Sequence, residues 1–331
     1  MKLKKVLRNS FWALDLLALG VGSFYWWAKS PTLSSDDYAR LEQYPFPSPS
    51  AHGDTFKIIS YNIGYLSGMT NNLNVRPSKK MYDRHLERAK KYFKEQDADI
   101  IALQEVDFDS KRSYRVNQHM ELINHLQMGH GALAVNWDKQ YVPFPYFPPS
   151  VHFGKMLSGQ SILSKYPITF QDRIVLEEVK DRPFYYRQMY LSRLAQVTKL
   201  KLQEKEVILI NVHTEAFIKE TRYNQISYLH SLFKRYARDY PVLMVGDFNS
   251  DPAYEEAAIE LFLSDKTIES AIPKEFAEDK EVLTYPSDAP YELLDFIFYN
   301  KDKIEPVGWE VLESFGQVSD HLPISFSFRL V

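Results

Sequence analysis

The chain has 331 residues, 45% of them hydrophobic and 25% charged, with a net charge of −3. This balance excludes an intrinsically disordered chain and suffices for one large domain or two small ones. The lack of cysteine excludes disulfides, thiolate metal sites and cysteine nucleophiles together.

The charge is uneven. Lys2, Lys4, Lys5, Arg8 and Lys29 against Asp15 give the first 30 residues a net charge of +4, which leaves about −7 for the rest. An acidic body weighs against tight, sequence-independent polyanion binding, though a local basic groove is compatible with it. After the basic start, "FWALDLLALGVGSFYWWA" (11–28) is mostly apolar and ends in Tyr25, Trp26 and Trp27. In a helix at ~1.5 Å per residue it spans roughly 27 Å, just short of a ~30 Å bilayer core. Basic residues before the run favour a cytoplasmic N-terminus, and Trp and Tyr suit the far interface. No small-x-small cleavage site follows, so residues 1–30 are expected to form an uncleaved signal anchor, a transmembrane helix with the body on the extracytoplasmic side. Asp15 counts against a clean span, and the alternative is an amphipathic or core helix. Residues 31–55, with the Pro- and Ser-rich "YPFPSPSAHGDT", read as an extended linker, and residues 56–331 as the folded body.

Within the body, "FKIISYN" (56–62) reads as a strand. Residues 81–96 place Tyr82, Leu86, Ala89 and Phe93 on one helical face. Strands are expected at 99–105, 160–164, 193–200 and 206–213. A helix follows over about 220–238, its inner face Tyr223, Ile226, Leu229 and Phe233. Strands at 242–249, 293–300 and 323–330 complete the chain. Strands interspersed with helices, without strict alternation, indicate an α/β (α+β) fold with mixed sheets and helices outside.

Polar residues collect at strand ends: Asn62, Glu105, His213, and Asp247 with Asn249. A rigid sheet presents a site at such ends. Each residue has a bland reading. Asn62 suits a turn, Glu105 can be the first polar residue after a buried strand, and a lone His213 is most often a hydrogen-bonded core histidine. Asp295 is harder to dismiss, because a carboxylate within the apolar "LLDFIFY" needs a partner or a metal.

Taken in order, "YN" (61–62), "LQEV" (103–106), "NVHTEA" (211–216), "GDFN" (246–249), Asp295 within its strand and "SDH" (319–321) resemble the endonuclease/exonuclease/phosphatase superfamily over residues 56–331. That resemblance implies a four-layered α/β/β/α sandwich and a Mg²⁺-dependent phosphoesterase, with Mn²⁺ as an alternative. Phosphodiester hydrolysis needs a stabilised transition-state charge, an activated water and a protonated leaving oxygen, and hard oxygen ligands suit Mg²⁺. By the same resemblance Glu105 is the principal metal ligand, with Asn62 beside it and Asp320 a further candidate. Asp247 orients or deprotonates water, Asn249 steadies the phosphate, and Asp295 orients His321. His213 donates to the phosphate or leaving group. Which histidine is acid and which is base stays open. On an extended segment the two-residue spacing points Asp247 and Asn249 the same way.

The substrate is not given by such a fold. The anchor, the aromatic and proline-rich "YVPFPYFPPSVHF" (141–153) and the acidic body favour a lipid phosphodiester of sphingomyelinase or phospholipase C type. The short "NVHTEAF" also resembles sphingomyelinase-like members. A DNase-like nuclease acting on nucleic acid, an inositol or sugar phosphate phosphatase, and an inactive binding module are the alternatives. Tyr185, Tyr186, Arg187 and Arg193 are candidate phosphate contacts, and Arg222 and Gln225 candidates for holding the His213 loop.

Overall fold

The computed structural model describes residues 2–47, 53–71, 73–278 and 280–331. Among them thirteen strands build two mixed sheets, one of seven strands and one of six. The larger holds β1 (Ala39–Gln43), β2 (Thr55–Asn62), β3 (Ile100–Asp107), β4 (His130–Val142), β5 (Gly154–Ser164), β12 (Ile304–Val311) and β13 (Ile324–Leu330). The smaller holds β6 (Ile168–Val175), β7 (Leu194–Leu202), β8 (Lys205–His213), β9 (Val242–Asp247), β10 (Ile268–Ser270) and β11 (Asp295–Asn300). Strand orders are β1-β4-β5-β3-β2-β13-β12 and β10-β11-β9-β8-β7-β6.

Side-chain alternation stacks these sheets into layers. Along β2, Phe56 and Ile58 face the second sheet and pack in one core with Ile210, Val245 and Ile297. Ile59 and Tyr61 face outward and pack against Tyr82, Leu86, Ala89 and Phe93 of helix α2 (Lys79–Gln96). Helix α3 (Gln118–Leu126) covers the same face with Leu122 and Ile123. On the far side, α5 (Lys219–Ala237) buries Ile226, Leu229 and Phe233. The expected four-layered sandwich is therefore present. Tyr223 is the exception on α5: it is 47% exposed, not part of the inner face.

The pairing pattern gathers the site. β2 and β3 run parallel, as do β8 and β9, so all four point their C-terminal ends one way. β11 is antiparallel to β9 and β13 to β2, so these two begin where the others end. Between the sheets, Gln104 Nε2 donates to Asn211 Oδ1 at 2.7 Å, and Asn211 Nδ2 donates to the Leu103 carbonyl at 3.0 Å. This buried polar tie fixes β3 against β8 just below Glu105 and His213.

Gly246 is required where β9 meets β8. Its φ is +139°, and a Cβ there would lie 2.0 Å from the Val212 carbonyl oxygen. Gly246→Ala is expected to cost about 3 kcal/mol or more, from strain and overpacking together. Urea unfolding of the two proteins checks this; an unchanged midpoint refutes it.

The amino-terminal segments depart from expectation. The segment read as a linker over 31–55 contributes β1, which pairs antiparallel with β4 from Ala39↔Ala134 to Gln43↔His130; its residues 48–52 lie outside the described residues. Residues Lys2–Lys29 do form a helix, α1. However, no helix among the described residues is long and apolar enough to cross a membrane. Asp15, Gly20, Gly22, Ser23 and the polar-tipped Tyr25, Trp26 and Trp27 dilute the apolar run. α1 is docked at its C-terminal end. Ala28 is fully buried, and Phe24 and Trp27 meet the Tyr141 ring at 5.7 and 6.4 Å between centroids. Lys29 Nζ donates to Gln188 Oε1 at 2.6 Å. Just beyond, buried Asp138 of β4 accepts the Thr32 and Leu33 N–H groups at 2.8 and 2.9 Å and the Tyr38 hydroxyl at 3.1 Å.

Candidate active site

Every residue singled out at the strand ends arrives at this one edge. Asn62 closes β2; its amide donates to Asp247 Oδ2 at 3.0 Å, and its Oδ1 accepts the Gly64 N–H at 3.1 Å. The first of these bonds crosses from sheet to sheet. Asp247 closes β9, and its Oδ1 accepts the Asn249 N–H at 2.8 Å. The chain turns there, with Asn249 left-handed at φ 48° and its amide on the Thr214 carbonyl at 3.1 Å. An Asx turn, rather than an extended segment, thus brings Asp247 and Asn249 together in the cleft.

Asp295 opens β11 directly opposite Asp247. It holds His321 Nδ1 at 2.9 Å, and His321 Nε2 lies 3.7 Å from Asp247 Oδ2. His213 Nε2 lies 3.5 Å from the same oxygen and 3.9 Å from Glu105 Oε1. Asp247 is therefore flanked by two histidines, each backed by a different group. Behind His321 stands Asp295; beside His213 stands Arg193, whose Nη1 donates to Nε2 at 2.6 Å. Arg193 in turn lies 3.5 Å from Glu215 Oε2.

These partners drive the two rings to opposite charge states. Burial alone lowers the pKa of His321, but Asp295 and Asp247 outweigh it and hold the ring well above the ordinary histidine range. For His213, burial is reinforced by repulsion from Arg193 and His321, and its pKa falls well below that range. Burial pushes Asp247 up to about 7, with His321 opposing and Asp295 adding repulsion. One imidazolium, one neutral imidazole and a carboxylate poised near neutrality share a few ångströms.

A second carboxylate group adjoins them. Glu105 sits at an irregularity in β3 with φ 54°, and its side chain is 24% exposed toward the cleft. Asn71 Nδ2 donates to Glu105 Oε2 at 3.2 Å and to both Asp320 oxygens at 3.2 and 3.1 Å. Burial and repulsion from Glu105 raise the Asp320 pKa, against the pull of His321. Two acidic groups sharing one neutral donor are short of positive charge, so a divalent cation fits here, on hard oxygen donors. Asn71 carries no sequence signal. It lies in an irregular loop and meets the site only through the fold. Gly64 is required beside it, since a Cβ at its φ of +45° would lie 2.8 Å from Asp320 Oδ1.

The remaining candidates divide. Arg193 reaches the site, whereas Tyr185 is 57% exposed and Tyr186 stacks on Tyr190 at 5.3 Å on the cleft wall. Arg187 ends the short helix α4 (Phe184–Arg187) and does not line the cleft. Arg222 does hold the loop after His213, donating to the Glu215 and Ala216 carbonyls at 3.2 and 2.8 Å. Gln225 Oε1 accepts the Glu215 N–H at 2.8 Å. Of the 141–153 aromatics, Phe144 and Phe153 pack on each other at 5.2 Å, while Tyr146 and Phe147 are 67% and 75% exposed.

The fold has solved counterparts. An endonuclease/exonuclease/phosphatase from Bacteroides vulgatus superposes with a TM-score of 0.58 at 19% identity, covering 84% of this chain and 99% of its own. The human Nocturnin catalytic domain with a bound sulfate anion gives 0.57 at 16% identity, covering 91% and 100%. A mannosyl-6-phosphatase from Bacteroides thetaiotaomicron gives 0.57 at 16%, covering 83% and 99%. No curated protein matches the chain in sequence. Residues 59–321 match the family model described as Endonuclease/Exonuclease/phosphatase family. With most of its length and its whole candidate site inside that match, the chain belongs to the Endonuclease/Exonuclease/phosphatase family of metal-dependent phosphoester hydrolases.

Proposed function

We propose that the protein is a Mg²⁺-dependent phosphodiesterase that hydrolyses a lipid-borne phosphodiester at a membrane surface. One observation carries the choice of substrate. The catalytic edge forms the floor of a cavity of about 1680 Å³ whose walls are aromatic and apolar, among them Phe144, Tyr146, Phe184 and Leu191. That exceeds the roughly 300–1,000 Å³ of ordinary small-ligand pockets. A nuclease would instead need a basic stripe beside the site. Among the described residues no lysine lines this cavity, and two of its three arginines are committed: Arg112 to Asp107 and Arg193 to Glu215.

In this reading Glu105 and Asp320 hold the cation, with Asn62 beside them. The bound ion supplies positive charge to the phosphate oxygens. Asp247 orients water in line with phosphorus and accepts its proton as the new P–O bond forms. Asn249 donates to a nonbridging oxygen. The bond to the leaving oxygen breaks as a histidine delivers a proton to it. His321 is held in one tautomer by Asp295, and His213 is held by Arg193.

For location, we propose association through α1 lying at the membrane interface. Basic residues at one end of the helix and tryptophans at the other suit such an interfacial position.

Turnover of sphingomyelin vesicles, duplex DNA and mannose 6-phosphate, measured side by side with Mg²⁺, tests the substrate. Release of phosphocholine with little action on the other two is expected. DNA cleavage without lipid turnover refutes the reading. EDTA is expected to remove activity, and excess Mg²⁺ to restore it; turnover that survives EDTA removes the cation from the site.

A further inference from the structure

We infer that one face of α1 is a wall of the substrate cavity and contacts the hydrocarbon of the lipid being cleaved, so that the helix is part of the specificity site and more than a tether. This rests on the lipid-phosphodiester reading. The cavity that has Asp247 and His321 on its floor is lined at the other end by Leu14, Leu17, Ala18, Val21 and Tyr25. These positions recur every three or four residues and so form one stripe of the helix. Asp15 is the single charge of α1 that lines the cavity.

Trp12, Leu16 and Leu19 on the opposite stripe do not line the cavity. The two stripes are about equally exposed, Leu14, Leu17 and Val21 at 64%, 63% and 61% and Trp12, Leu16 and Leu19 at 61%, 67% and 67%. α1 therefore has two apolar faces that differ in what they look onto, open cavity or outside, and not in burial. The orientation is not left to a flexible joint. Ala28 is buried, Lys29 holds Gln188, Tyr25 meets the Phe184 ring at 6.5 Å, and Asp138 fixes Thr32 and Leu33. Phe184 is itself a cavity residue, so the helix and the opposite wall are tied at the mouth.

The occupant follows from the two ends of the cavity. The floor is built for an anionic phosphoester, and the outer wall offers hydrocarbon with few hydrogen-bonding groups. A molecule matching both is a lipid whose headgroup phosphate reaches Asp247 while its chains stay against α1. The outward stripe and the basic residues Lys4 and Lys5 suit an anionic bilayer surface, from which such a lipid slides along the helix into the cavity.

The test uses the full chain in two paired variants: Leu17→Gln with Val21→Gln on the cavity face, and Leu16→Gln with Leu19→Gln on the outward face. Each is measured on sphingomyelin in detergent micelles, on bis-p-nitrophenyl phosphate, which has no chains, and for sedimentation with phosphatidylcholine/phosphatidylglycerol vesicles. The cavity-face variant is expected to lose at least ~10-fold in kcat/KM on micellar sphingomyelin, since contacts of a few methylenes discriminate by this much. Its turnover of bis-p-nitrophenyl phosphate stays at the wild-type value, which also shows that it folds. The outward-face variant is expected to lose vesicle binding and to keep micellar turnover. If both variants keep micellar turnover, or lose it equally, the inference fails while the lipid reading stands. If the wild type cleaves bis-p-nitrophenyl phosphate but no sphingomyelin, the lipid reading fails and the inference with it.

Discussion

Asp247→Asn is expected to lower kcat by roughly 10³–10⁴-fold, the upper part of the range for removing a positioned general base. The substitution is nearly isosteric, and the side chain is 1% exposed. An asparagine keeps an oxygen to accept from Asn249 N–H, so the turn at the end of β9 is retained, while its Nδ2 stands where Oδ2 accepted from the Asn62 amide and that one bond is lost. What disappears is the proton acceptor between the two histidines. A stability measurement separates this from simple damage. Burial raises the Asp247 pKa from 3.8 to about 7. Between those values the folded state binds the proton and the unfolded state does not, so stability falls as pH rises through this window. In EDTA, the wild-type melting temperature should therefore drop between pH 5 and pH 7.5. Asp247→Asn should drop less and melt no lower than wild type at pH 7.5. A variant that melts well below wild type there would show that the carboxylate is structural.

Much of this site could be read before any coordinates, for a physical reason. Asn62, Glu105, His213 and Asp247 each follow an apolar strand, and parallel strands deliver such residues to a common edge. Asp295 was conspicuous as a carboxylate amid Leu293, Leu294, Phe296 and Ile297. Asn71 was not, because nothing in an irregular loop records which carboxylates the fold will bring to it. The same division holds for the fold. β2, β3, β8 and β9 are buried between layers and show as apolar runs. β1 and β12 are edge strands with mostly exposed side chains, and β12 carries Pro306 and Gly308 at a bulge. β1 has no hydrophobic face to betray it, and on β12 the residues that pack on the core, Ile304, Trp309 and Val311, are split by the bulge and so show no regular alternation. α1 shows the limit of composition. Its helical character was legible, but a run diluted by Asp15 and two glycines does not qualify as a span.

Asp295→Asn and His321→Gln are each expected to cut kcat/KM by roughly 10²–10⁴-fold, and the double variant to be no slower than His321→Gln alone. Asp295 sits behind the ring: it holds Nδ1 at 2.9 Å and does not line the cavity. It is therefore a positioning residue, and once His321 is gone it has nothing left to position. Losses that multiply in the double variant would mean that Asp295 acts on substrate or cation independently. The pH profile of Asp295→Asn also settles which role His321 plays. Removing the carboxylate destabilises the imidazolium, so the His321 pKa falls. If the ring works as an acid, activity needs the protonated form and the alkaline limb of the profile moves to lower pH. If it works as a base, the acidic limb is the one that moves, in the same direction. His321 and His213 start from opposite charge states in this fold. The cationic ring held between Asp295 and Asp247 already carries the proton that a leaving oxygen needs, so the alkaline limb is the one expected to move. An unmoved profile would mean that neither limb belongs to His321.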